Sequence, residues 1–122
     1  MDAVPPEAVV EAAHRMVVHY APSRLDGPVE WVRAPSWRID AAKTPTGQHD
    51  ANSRETYLVR LSGSFTYRAR PPRPSAPEIV QTVPVIFVKV AADGDQAGQI
   101  QGGGYGWNID MAALGTVNIF DL

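Results

Sequence analysis

The stretch QIQGGGYGWNID, residues 99–110, places Gly102, Gly103, Gly104 and Gly106 just ahead of Trp107. Glycine-rich loops hold phosphate when unobstructed backbone N–H groups converge on its oxygens. That chemistry has requirements which this run does not meet. A Walker-type loop needs Lys-Ser/Thr after its last glycine, and Trp107-Asn108 stands there instead. A dinucleotide fingerprint needs a third glycine where this chain has Ile109. The run is therefore expected to turn the chain, with Gly102–Gly106 supplying positive-φ positions in a loop beside Trp107. A loop of this kind also lets a partner backbone approach closely. Tyr105 and Trp107 are its candidate binding residues, because tryptophan is prominent at binding hot spots.

Other constellations fail in similar ways. DGDQAG (93–98) opens like a calcium loop, but Ala97 and Gly104 occupy positions that need an oxygen ligand and a bidentate glutamate. A tight Asp-Gly turn is the expectation. His14 and His19 are five residues apart, about 140° around a helix, so they share no face. His49 sits beside Asp50 in a polar stretch, and no spacing supplies a second metal ligand. No G-x-S-x-G elbow occurs, and the absence of cysteine removes thiolate chemistry and disulfides. No catalytic residue, metal site or cofactor is called for. Arg68-x-x-Pro71-x-x-Pro74 has the spacing of a basic polyproline ligand. A stiff strand connection explains the same prolines. Arg68, Arg70 and Arg73 still form the most basic local patch, a second candidate binding surface.

The elements that position these residues follow from periodicity. Pro5-Pro6-Glu7 starts a helix, and Val9, Ala13, Met16, Val17 and Tyr20 recur as one apolar stripe. The helix is expected over about 6–20, ending before Ala21-Pro22. VEWVR (29–33) and SWRID (36–40) read as short strands kinked at Ala34-Pro35, together about 29–40. Residues 41–54 are a polar surface loop. In TYLVRLSGSFTYR (56–68), Tyr57, Val59, Leu61, Phe65 and Tyr67 alternate with polar residues, Leu58 being the exception on the polar face. Gly63 marks a bulge or a close passage of another segment. VQTVPVIFVKVAA (80–92) is nearly continuously apolar, hence a central strand covered on both faces, with Pro84 at its beginning or at a bulge. Short strands are expected at about 97–101 and 115–121. Trp31 and Trp37 are expected half-buried against the helix.

The bulk numbers agree with one domain spanning residues 1–122, without an internal repeat or linker. A net charge of −2 creates no strong field, and residues 74–122 carry Lys89 alone against Glu78, Asp93, Asp95, Asp110 and Asp121. That acidic half argues against nucleic-acid binding. No stretch approaches the ~20 apolar residues of a membrane span. MDAVPPEAVV lacks a basic n-region and an apolar h-region, so the chain reads as a cytoplasmic protein or as a mature domain. Nine Arg against two Lys, with sixteen Ala, point to a high-GC genome. The fold class is α+β: one helix packed on a curved, mostly antiparallel sheet of four to five strands.

This order of elements resembles small extracytoplasmic bacterial domains of the PepSY-like or cystatin-like kind. The resemblance is sharpest over VIFVKVAADGDQAGQI (85–100), where a β-branched strand runs into an Asp/Gly turn and a short strand. The chain departs from the PepSY pattern in its tail, 102–122, and in lacking the repeated unit. It also lacks the Q-x-V-x-G hairpin of cystatin inhibitors, since Pro84-Val85 follows Gln81-Thr82-Val83. The resemblance implies a non-catalytic binding module at the cell envelope, with a protein or peptide partner. Two further readings stand beside it. One is a small enzyme or ligand binder with a pocket between helix and sheet, lined by Tyr20, Trp31, Tyr57 and Phe65 around His19 or Asp40. The other is self-assembly, in which strand 56–68 pairs with its copy.

Overall fold

The alternating segment and the apolar segment after it form one long hairpin, and the rest of the chain is arranged around it. The computed structural model describes residues 4–43, 54–69 and 73–122. The elements run α1 (Glu7–His19), β1 (Ser23–Leu25), β2 (Val29–Pro35), α2 (Ser36–Lys43), β3 (Glu55–Ala69), β4 (Ile79–Ala91), β5 (Ile100–Gly104), a 3-10 helix (Met111–Ala113) and β6 (Asn118–Phe120). The sheet is antiparallel at every pairing, in the order β5-β4-β3-β2-β6, and β1 pairs with β3 beyond the end of β2. The chain is thus an α+β protein with an N-terminal helix on an open sheet.

Helix α1 starts where the prolines place it, with the Pro6 carbonyl accepting the Val9 and Val10 N–H groups. It ends at His19, and the Ser23 hydroxyl donates to the Val17 carbonyl 2.8 Å away, satisfying a last-turn acceptor. Val9, Ala12 and Ala13 are buried and Met16 and Val17 partly so, against Val59, Leu61, Phe65, Ile86, Val88 and Val90 of the hairpin. Each fully buried valine or leucine contributes about 1.5–3 kcal/mol, and this is the main core.

Two irregularities bend the sheet. Ser62 pairs with Val85 and Phe65 with Val83, so Gly63 and Ser64 on β3 face Pro84 alone on β4. Proline has no N–H to lose at such a bulge. Val83 then packs into the helix-side core and Val85 into the cluster on the opposite face, although two residues apart on a regular strand share a face. Gly63 is also the point where β1 passes closest: a Cβ there would overlap the Arg24 carbonyl and lie 2.9 Å from Leu25 Cα. Both expectations for Gly63, bulge and close passage, are met at once.

The second face corrects several sequence expectations. SWRID is not a strand but the first part of α2. The helical signal is Ile39 and Ala42, three residues apart and both packed into the second cluster. Leu58, the apparent misfit of β3, is fully buried there with Val32, Ala34 and Phe87, beneath Met111 and Leu114. Trp37 projects from α2 with 45% of its surface exposed rather than lying against α1. Strand β4 is covered on both faces only over its second half, and Ile79–Thr82 is exposed. The last two strands begin three residues later than expected, at Ile100 and Asn118.

Candidate functional site

The glycine run does something other than form a loop. Gly102, Gly103 and Gly104 are strand residues of β5, paired with Lys89, Val88 and Phe87. Gly103 is required by packing, because a Cβ would lie 2.9 Å from the Phe87 carbonyl oxygen. The turn comes only at Gly106, with φ +82°. This division carries the chain around the edge of the sheet. Tyr105 packs on the helix side, its ring 4.7 Å from that of Tyr67. Trp107 lies on the opposite side, stacked on Phe87 at 5.9 Å and 18°.

Because β5 leaves after Gly104, the outer edge of β4 loses its neighbour at Phe87. Among the described residues no strand pairs with β4 residues 79–85 on that side. Ile79 and Val80 are 47% and 51% exposed along this stretch. An apolar recess of about 310 Å³ lies at its upper end, lined by Val83, Pro84, Val85, Tyr105, Gly106 and Trp107. The result is a slot one strand wide, in line with β5, closed at one end by the Tyr105–Trp107 turn.

Of the basic patch, Arg68 is cross-strand from Val80 and 3.6 Å from Glu78. Arg73 is exposed, its carbonyl accepting from Ala76 N–H in the turn that follows. Arg70 lies outside the described residues, as do His49 and Asp50. Arg68 and Arg73 therefore flank the lower end of the slot, while Tyr105 and Trp107 flank the upper end. Chain order alone did not bring these two groups together.

Of the residues of the alternative pocket, His19 and Tyr20 line a recess of about 260 Å³ at the end of α1 with Ala21, Thr66, Tyr67 and Arg68, and Trp31, Tyr57 and Phe65 pack in the interface between helix and sheet. Phe65 is fully buried, Tyr20 packs edge-on against it at 6.5 Å, and Trp31 meets Tyr57 edge-on at 5.7 Å. These rings fill the interface. His19 lies at its margin, exposed, 4.9 Å from the Tyr20 ring. Asp40 is on the other side of the sheet, on α2. The buried Trp31 Nε1–H has no hydrogen-bond partner, a cost of about 1–3 kcal/mol accepted within this core. Burial holds the Tyr20 phenol pKa above its ordinary value, assisted by Tyr67 and Tyr105. Tyr105 is raised as well, through desolvation first and then its charge interaction and hydrogen bond with Tyr67.

Two polar groups that motif reasoning missed sit on the second face. Lys89 donates to Asp40 Oδ1 at 2.8 Å and to the Ser36 hydroxyl at 3.2 Å. Lysine beside serine has the composition of a nucleophile dyad, but Ser36 is 4% exposed. Lys89 instead ties α2 to the centre of the sheet. The second group is open: Arg60 Nη1 donates to Glu30 Oε1 at 3.0 Å, with about a third of each side chain exposed. Glu30, Arg60 and Phe87 form one cross-strand row, and that row floors a cleft of about 400 Å³ roofed by Trp107–Ala112. The signal for this row was the position of the charges on the same β3 face as Leu58. Among the described residues no three His, Asp or Glu side chains gather as a metal site would require. Compared with models of protein families, with curated proteins and with solved structures, the chain matches none.

Proposed function

We propose that this protein is a non-enzymatic interaction module that takes an extended peptide segment of another protein along the free edge of β4. The observation that carries it is the departure of β5 at Gly104, which leaves residues 79–85, paired with β3 on one side, without a strand partner on the other among the described residues. An exposed strand edge presents a row of backbone donors and acceptors, and a peptide adding as a further strand satisfies them. Side chains of such a peptide alternate between faces, so one set meets Tyr105 and the other meets Trp107. The rim at the lower end has a sign: among its described residues Arg68 and Arg73 stand against Glu78 alone. A peptide with acidic residues at that end fits best, and its encounter rate falls with added salt. A non-catalytic binder is also what the resemblance to PepSY-like and cystatin-like domains leads one to expect.

A display library of random twelve-residue peptides supplies the probes. Selected peptides are then measured against the protein by calorimetry and by amide hydrogen exchange. Protection confined to residues 79–85, and loss of binding when alternate peptide nitrogens are methylated, is the expected result. Protection elsewhere, or unchanged binding by the methylated peptides, would overturn strand addition.

A further inference from the structure

The cleft on the second face adjoins the β4 edge, sharing Val85 and Trp107 with it, but differs from it in chemistry. Its lining is mixed: Phe87, Trp107, Ile109, Met111 and Val117 supply apolar surface, and three charged residues reach it. Arg60 is already matched by Glu30 at 3.0 Å. The Glu30 contact uses Oε1, and Asp110 uses Oδ1 to accept the Ala112 N–H at the start of the 3-10 helix. Among the described residues, Glu30 Oε2 and Asp110 Oδ2 make no such contact. With one guanidinium against two carboxylates, the lining carries a net charge of −1.

These facts rank the ligand classes. An anion would have to break the Arg60–Glu30 pair and then share the cleft with two unmatched carboxylates. A neutral apolar molecule filling the cleft would displace water from the second carboxylate oxygens and offer them no donor, at a cost for each unmet acceptor. A cation breaks nothing, and the second carboxylate oxygens are strong acceptors for it. The Trp107 indole, held in place by its stack on Phe87, adds an aromatic wall that itself favours positive charge. A volume of about 400 Å³ suits a small organic molecule.

We infer that this cleft binds a small primary amine carried on an apolar, ring-bearing body, with the ammonium on Glu30 and Asp110 and the ring beside Trp107. The probe is 2-phenylethylamine, titrated by calorimetry and by nuclear magnetic resonance shifts. It is compared with 3-phenylpropionate, with 2-phenylethanol and with Nα-acetyl-lysine amide. The amine should bind about tenfold or more tightly than each of the others, and Glu30→Gln should remove about tenfold of its affinity, the worth of one charge-assisted hydrogen bond. Glutamine keeps an oxygen for Arg60, so the cleft survives the exchange, and Asp110→Asn provides a second variant that keeps the helix cap. Shifts should centre on residues 107–112 and on Arg60. Equal or tighter binding of the propionate would overturn the proposal. So would binding unaffected by both variants, shifts centred elsewhere, or no binding of the amine at all. Equal binding of the lysine amide would overturn it in favour of a protein side chain as the occupant.

Discussion

The two faces of this sheet are built from the same strands and have different chemistry. The helix face is sealed by a thirteen-residue helix and filled with aliphatic and aromatic side chains, with the Arg33–Glu55 pair kept at its exposed margin beside Tyr57. The opposite face is covered by short pieces, an eight-residue helix and a single turn of 3-10 helix. Short covers leave gaps, and the strands there carry Glu30, Arg60 and Lys89. A long amphipathic helix can exclude water along a whole sheet, whereas two short covers cannot, so charge is tolerated under them. The helix face is where folding free energy is concentrated. The other face and the β4 edge are where recognition can occur.

The largest effect expected from this division is Phe65→Ala. Removing a fully buried ring costs about 3–5 kcal/mol, and urea unfolding should show it as a large fall in midpoint. Trp107→Ala, on the other face and partly exposed, should cost only about 1–2 kcal/mol. It should instead weaken binding at both proposed sites. Equal destabilisation by the two would mean that both faces contribute alike to folding, and the comparison would fail.

An intermediate effect tests how charge is held beneath the short covers. Lys89→Met leaves Asp40 facing the sheet without its cation, and should cost about 1–3 kcal/mol, less than a fully buried pair because Asp40 is partly exposed. The double variant Lys89→Met/Asp40→Leu removes both charges and should recover most of that loss. If the double variant is as unstable as the single one, the pair is not a replaceable tie but an organiser of α2.

Much of the helix face was legible in the sequence, because α1 and the inward face of β3 each repeat one period without interruption. The bulge was legible too, since glycine and proline are the residues that such a site demands and both Gly63 and Pro84 were present. The second face was not. Its cover is made of pieces too short to display a period, and Pro35 looks the same whether a strand or a helix follows it. Leu58 was the visible clue: a buried-type residue on a polar face implies a cover on that face. The glycines of the run 102–106 misled for a related reason, as of these only Gly106 has a positive φ, while Gly103 answers to a close backbone contact that no local pattern records. The cleft and the free edge depend on where β5 stops, which only pairing decides.

The smallest expected effect separates the faces by pH. Tyr20 and Tyr105 are held above the ordinary phenol value of 10.0 by burial and by their neighbouring phenols, so the folded state keeps these protons more tightly than the unfolded chain does. A raised folded pKa gives stability that is complete below the unfolded value and is lost as pH climbs from there through the folded value. The unfolding midpoint should therefore decline above about pH 10, where unfolded tyrosines begin to ionise. Tyr20→Phe keeps the edge-on contact with Phe65 and removes one of the two protons. Its midpoint should decline less steeply over the same range while matching the parent near neutrality. An equally steep decline would place the alkaline sensitivity outside the tyrosine cluster and leave the helix face indifferent to pH.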